Sequence, residues 1–382
     1  MKNTKKYRFV LIGAGWRAAY YIRIAKALPE IFELCAVYCR SEEKAQRIRK
    51  EYDVNAVTSE EECMAYDPDF VVVSVSKMSG AEVSMKWTGR GYTVIQETPA
   101  GMDIETLNKL RERSLLGEKL VVAEQYTRYP KYDALIKVIK SGIIGEVTCL
   151  NISLANDHHG ASLIRNLLGI PVDMGFTVSS KVFSFATTET MTRYEEYHDG
   201  RVADKKRRIA TFEFDNGAVA LYDFDSEQYR SPIRHNTYKV QGIRGEIIDD
   251  TVYWLDEANQ ARKAQITVKS GMVETGNPNP NFARICETER VIFNGEVLYE
   301  APFGLCGLTD DETAIAGLME QAGEYARGNA QSPYPLKEAL QDAYMAIKME
   351  EAGKVCRTGM TESAGDAASS NVVSSAHQVW MK

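Results

Sequence analysis

Phe9-Val10-Leu11-Ile12-Gly13-Ala14-Gly15-Trp16-Arg17-Ala18 is the stretch that decides how this chain is read. Four apolar residues run straight into a G-x-G-x-x-A pattern, and residues 17–28 then have helical composition. A buried strand that turns sharply into a helix needs one glycine for the turn and a second where backbone approaches a pyrophosphate. A small residue then keeps the helix close to the strand. Gly13, Gly15 and Ala18 stand in those places. The helix start offers unsatisfied N–H groups and a positive dipole end to phosphate. The glycine pattern alone is weak evidence; its place in a strand–helix–strand unit predicts a dinucleotide site.

Working outward, apolar runs at residues 34–38, 70–75, 93–95 and 120–123 alternate with helical patterns at 42–52, 81–90 and 104–115. Alternation at this spacing predicts a parallel, doubly wound α/β sheet. The pattern changes after Pro130. A helix over 132–141 is followed by strand-like runs at 148–154, 209–214, 218–224 and 237–241. Asn216-Gly217 between two of these is a hairpin turn signal. A last helix is expected over 336–352, ending at Gly353. The expected fold is an N-terminal Rossmann domain over 1–126 and a C-terminal α+β domain over 127–360 with a large, mostly antiparallel open sheet. Residues 361–382, rich in Ser, Ala and Gly, read as a loose tail.

With 382 residues the chain suits two domains. The net charge of −7 and the lack of a long basic run argue against a nucleic-acid partner. Lys205-Lys206-Arg207-Arg208 is the densest positive cluster and reads as a solvated hairpin loop. No apolar run reaches the roughly 18 residues a membrane helix needs, and the start lacks a signal-peptide pattern. Seven scattered cysteines without C-x-x-C spacing predict reduced thiols and a cytoplasmic protein. No metal site is expected, because the consecutive side chains of His158 and His159 diverge and no other ligand spacing completes a set.

Cofactor choice turns on the end of the second strand, where an acidic residue would hold the adenosine ribose. Cys39 stands there, followed by Arg40 and Ser41, which could contact a 2′-phosphate; a solvent-facing or adenine-stacking Arg40 is the alternative. The expected cofactor is NAD(P), leaning toward NADP.

From the glycine loop the chain resembles the glucose–fructose oxidoreductase/inositol dehydrogenase (Gfo/Idh/MocA) family. The likeness runs through Val94-Ile95-Gln96-Glu97-Thr98-Pro99-Ala100 and Glu124-Gln125-Tyr126-Thr127-Arg128-Tyr129-Pro130. It continues through Gly145-Glu146-Val147, Asn216-Gly217, Gln241-Gly242-Ile243-Arg244-Gly245-Glu246 and the final helix. The resemblance implies a nicotinamide oxidoreductase acting on a hydroxyl or keto group of a sugar, cyclitol or glycoside. It also implies a homodimer or homotetramer built through the second-domain sheet, with Ser76 and Glu97 beside the cofactor. The family's E-K-P segment carries a Lys beside the nicotinamide, and a secondary alcohol needs such a proton partner. Here Thr98 occupies that position. The usual Asp and His of the second domain are likewise replaced by Arg165 and Gly169, and Gly80 stands where many relatives carry His.

The candidate replacements are His158 and His159, expected in a loop entering the first helix of the second domain, since His shuttles protons near neutral pH. Tyr126 is a candidate donor to a substrate oxygen, and packing is its other reading. Lys77 is a weaker substitute. Arg165, Ser162 and Arg128 are candidate substrate contacts, with a structural ion pair equally open for Arg165. Arg234-His235 offers only a loop position. Two further readings stay open. One is a glycoside-cleaving enzyme that uses a tightly held cofactor transiently; the other is a non-catalytic nucleotide- or sugar-binding protein.

Overall fold

The computed structural model describes residues 5–192, 195–276, 280–354 and 374–376. The chain opens with β1 (Tyr7–Ile12), α1 (Ala18–Ala27), β2 (Phe32–Tyr38), α2 (Glu42–Tyr52), β3 (Ala56–Val57) and α3 (Glu60–Ala65). Next come β4 (Phe70–Val73), α4 (Gly80–Thr88), β5 (Thr93–Gln96), α5 (Ile104–Leu115), β6 (Leu120–Val122) and α6 (Pro130–Lys140). Then follow β7 (Val147–Ser153), α7 (Asp157–Leu168), β8 (Phe176–Thr188), β9 (Val202–Phe214) and β10 (Val219–Asp225). The strands β11 (Thr237–Gly242), β12 (Gly245–Ile248), β13 (Thr251–Leu255), β14 (Ala261–Gln265) and β15 (Thr267–Glu274) lead to α8 (Pro280–Ala283). Last are β16 (Arg284–Phe293), β17 (Glu296–Glu300), α9 (Asp310–Ala326), α10 (Leu336–Lys354) and β18 (Ser374–Ala376).

Two units divide the chain. The first comprises Met1–Leu135 and Thr267–Ala343; the second comprises Ile136–Ile266 and Tyr344–Lys382. A linear boundary at 126/127 does not describe this grouping, because β15 to α9 assort with the N-terminal residues.

In the first unit six parallel strands lie in the order β3-β2-β1-β4-β5-β6. Every residue of β4 is buried, as expected for a strand covered on both faces. Phe9 stacks on Phe70 with ring centroids 5.6 Å apart, and Tyr21, Ile22 and Ile24 of α1 pack on the same core. Ile315, Leu318, Met319 and Ala322 of α9 complete it. Their i, i+3, i+4, i+7 spacing is the apolar stripe of an amphipathic helix. The same unit holds a three-stranded antiparallel sheet, β15-β16-β17.

The second unit is built on a nine-stranded sheet in the order β14-β13-β12-β11-β7-β10-β9-β8-β18, antiparallel except between β7 and β10. The expected hairpin joins β9 and β10: Gly217 takes φ +86°, and the Phe214 N–H donates to Ala218 O at 2.9 Å. Helix α7 covers β7 and buries Leu163, Ile164 and Leu167. A Cβ on Gly160 would lie 2.5 Å from the Tyr222 ring, so glycine lets α7 sit close to the sheet.

Four expectations change in this unit. Lys205–Arg208 lie inside β9 rather than in a loop. Lys205 pairs with Glu189 and Glu227, and Arg207 pairs with Asp223 on β10, so cross-strand carboxylates accommodate the charge run. His158 and His159 belong to the first turn of α7, not to the loop before it. Helix α10 runs through Gly353. Of the expected loose tail, 361–373 and 377–382 lie outside the described residues, whereas Ser374–Ala376 is a strand beside β8.

Candidate functional site

In the order β3-β2-β1-β4-β5-β6 the connections reverse direction between β1 and β4. The carboxyl ends of strands at such a switch point leave a crevice between diverging loops. Gly13 ends β1 there with φ +116°, and a Cβ on it would lie 2.2 Å from Ser74 O. Neither the backbone conformation nor the space admits a side chain. Gly15 differs: a Cβ there would meet nothing within 4 Å. The open space above Gly15, at a helix start with no side-chain cap and no acidic residue in its first turn, is a cradle suited to phosphate.

The other residues expected around a dinucleotide sit on the same edge of the sheet. Ser76 follows β4 and is exposed, its Oγ donating to Ser79 Oγ at 3.2 Å. Cys39 ends β2 fully buried, while Arg40 beyond it is exposed. The Ser41 hydroxyl caps α2 by accepting from the Lys44 N–H at 3.4 Å. Trp16 is exposed at the tip of the glycine loop and meets Tyr20 edge-on at 5.6 Å. Glu97 and Thr98 follow β5, whose buried Gln96 holds the loop by donating to Pro99 O and Ala100 O, each at 2.9 Å.

Arg17 does not reach outward. Its Nε donates to Glu97 Oε1 at 3.0 Å, and its two terminal nitrogens donate to the Asp311 carboxylate at 2.5 and 3.2 Å. Tyr21 Oη donates to the same Glu97 oxygen at 2.6 Å, and Gln125 Nε2 donates to Asp311 Oδ1 at 2.9 Å. A hydrogen bond from Tyr129 also reaches Asp311. Burial pushes the Asp311 carboxyl up, but the Arg17 charge and these hydrogen bonds outweigh it and hold the group below its ordinary value. Only the backbone of Arg17 is therefore left to face the cradle.

Tyr126 is buried and stacks on Tyr129 with centroids 4.8 Å apart, and Tyr129 stacks in turn on Tyr132. Arg128, a candidate substrate contact, donates to Gln321 Oε1 at 3.0 Å and to Pro333 O at 2.7 Å, both in the first unit. Its guanidinium fastens α9 and the following loop. Asp311, Gln125 and Tyr129 did not stand out in the sequence. A signal for Asp311 was present: Thr309-Asp310-Asp311-Glu312 is a T-x-x-E capping box, and Thr309 and Glu312 do cap α9 reciprocally.

In the second unit His158 and His159 lie with ring centroids 4.2 Å apart at the start of α7, so their side chains converge rather than diverge as expected. The preceding turn is fixed by Tyr222 Oη, which accepts from the Asp157 N–H at 3.0 Å, and by Tyr229 Oη, which accepts from the Asn156 N–H at 3.1 Å. Ser162 and Arg165, further along α7, are buried, with Arg165 only 2% exposed.

Comparison with known proteins bears on this arrangement. Residues 7–126 match the model of the oxidoreductase family with the NAD-binding Rossmann fold, GFO_IDH_MocA. The match covers the N-terminal six-stranded sheet and its helices, and is a likeness to that family over this stretch. No curated protein matches the chain in sequence. Solved structures resemble the fold of this chain over nearly its whole length. One is an oxidoreductase from Agrobacterium radiobacter in complex with NAD+, L-tartaric acid and magnesium. It is 11% identical, with a TM-score of 0.62, over 92% of this chain and 97% of that one. Another is GenD2 from gentamicin A biosynthesis in complex with NAD, 13% identical, with a TM-score of 0.63, over 93% and 96% of the two chains. An oxidoreductase from Thermotoga maritima is 17% identical, with a TM-score of 0.61, over 91% and 97%. Residues 7–126 thus match an NAD-binding Rossmann model of an oxidoreductase family, and no helix among the described residues is long and apolar enough to cross a membrane.

Proposed function

We propose that the protein is an NAD(P)-dependent oxidoreductase acting on a hydroxyl or keto group of a sugar, cyclitol or glycoside, with a reassigned proton relay. The observation that carries the reading is the cradle at Gly13 and Gly15. One glycine is required by the backbone, and the other leaves open space at an uncapped helix start. Backbone N–H groups of Gly15, Trp16 and Arg17 hold the pyrophosphate, Ser76 lines the opposite side, and Glu97 and Thr98 border the nicotinamide end. Arg40 and Ser41 beyond a buried, neutral Cys39 favour a 2′-phosphate, which leans the choice toward NADP. A bound nicotinamide supplies the hydride acceptor or donor.

Thr98 orients a substrate hydroxyl but cannot titrate usefully, so proton transfer falls to His158 or His159, with Tyr126 as the other candidate. Arg165 and Ser162, on the same helix as the histidines, recognise an anionic or hydroxyl group of the substrate. A homodimer or homotetramer is proposed through the second-domain sheet. Supporting it, Phe183, Ile209 and Leu221 alternate onto one face of β8, β9 and β10 and are 40–45% exposed.

The test is cofactor absorbance on mixing the purified protein with NAD+ or NADP+ and a panel of polyols, cyclitols and glycosides, and with the reduced forms and keto-sugars. Turnover with at least one member is expected. Silence across the panel from a protein that still binds the nucleotide would remove the reading.

A further inference from the structure

Arg17, Glu97 and Asp311 form a charge cluster that does not balance. One guanidinium serves two carboxylates, and all three side chains are at least three-quarters buried, with exposures of 13%, 14% and 22%. The further partners around them, Tyr21, Gln125 and Tyr129, are neutral donors. Burial holds the Tyr21 and Tyr129 hydroxyls in their protonated form. They share out the excess charge without cancelling it. The cluster straddles two segments of the cradle: Arg17 is in the glycine loop, and Glu97 directly precedes Thr98 at the carboxyl end of β5. A buried, uncompensated charge is costly unless something of opposite sign comes near it.

An oxidised nicotinamide ring carries a formal positive charge, and the reduced ring carries none. We infer that the surplus negative charge on Arg17–Glu97–Asp311 makes this site discriminate between the two redox forms of its cofactor in favour of the oxidised one. The inference rests on the cofactor reading above and adds a specificity that nothing in that reading requires. In it Asp311 is a positioning and charge-setting residue, contributed by a helix far along the chain from the glycine loop. A unit charge acting across the cluster at partly screened interior distances shifts the oxidised-to-reduced affinity ratio by about fivefold.

The experiment measures dissociation constants of the full-length protein for the oxidised and reduced cofactor by fluorescence titration, using whichever pair, phosphorylated or not, the wild type binds. Asp311→Asn keeps the shape and the acceptor oxygen of the side chain but removes its charge; Glu97→Gln does the same at the other carboxylate. Each is expected to lower the oxidised-to-reduced affinity ratio about fivefold, mostly by weakening the oxidised form. Glu105→Gln, an equal charge change on an exposed side chain of α5, is expected to leave the ratio unchanged. If both forms weaken equally in Asp311→Asn and Glu97→Gln, the cluster merely holds the loop and the inference is overturned. If the wild type binds neither form, the cofactor reading itself falls, which is a separate result. Should one variant fail to fold by circular dichroism, the other decides.

Discussion

At Gly13 two constraints meet on one atom that glycine lacks. A Cβ would need φ +116° and would lie 2.2 Å from a backbone oxygen. Gly13→Ala is therefore expected to cost at least about 2 kcal/mol in stability, because both the left-handed backbone and the clash must be relieved. Denaturant melts of the two proteins check it. Gly15 makes the opposite prediction, since a side chain there has room. Gly15→Asp should leave the thermal midpoint nearly unchanged while abolishing measurable dinucleotide binding in calorimetry, because a carboxylate then occupies the phosphate cradle. At Thr98, replacement by Lys restores the ammonium that the family resemblance leads one to expect. It is expected to raise turnover on a cyclitol or sugar panel and to change the pH–rate profile; an unchanged profile would show that the relay does not pass that position. These residues were legible because each follows a strand in a fixed pattern. Arg17 was only half legible. Its place in the loop was clear, but a pattern of residues in one segment cannot show that its guanidinium turns toward Glu97 and Asp311.

Among the elements, α9 contributes most that the alternation of strands and helices did not reveal. Its apolar residues 315, 318, 319 and 322 have helical spacing, yet a helix so distant from the glycine loop gives no local sign that it belongs to the Rossmann core. Leu318→Ala is expected to cost about 2–5 kcal/mol by leaving a cavity against that core, read from denaturant unfolding. Helix α9 also brings the Asp311 charge. Because the folded carboxyl titrates below its ordinary value, its stabilisation is fully present above the unfolded value and is lost as pH falls through the folded one. Asp311→Asn is therefore expected to be less stable than the wild type near neutral pH. The difference should close as the solution is acidified below about pH 4. Melts across that range check the sign. Two of the strands missed in the sequence have a clear cause. β8 and β15 each hold four consecutive exposed residues, 181–184 and 267–270, so these strands are set by pairing partners rather than by a period of two.

For the whole molecule, the proposed assembly predicts that Leu221→Lys, on the exposed face of β10, shifts the protein to a smaller species in sedimentation velocity without loss of helix and strand content. An unchanged sedimentation coefficient would remove the sheet from the assembly. The fold class was legible at this scale because a parallel sheet needs long crossovers, and those announce themselves as alternating strands and helices. The division of the chain was not, because contacts between distant segments leave no trace in local composition. That division has a consequence for biogenesis. Residues 136–266 separate the two parts of the first unit, so during synthesis the nucleotide-binding core waits for its last helix until most of the chain has left the ribosome. Until then the apolar flank that α9 will cover stays open to chaperones and proteases. Protection of stalled nascent chains should rise not when residue 135 emerges but only after residue 326 does.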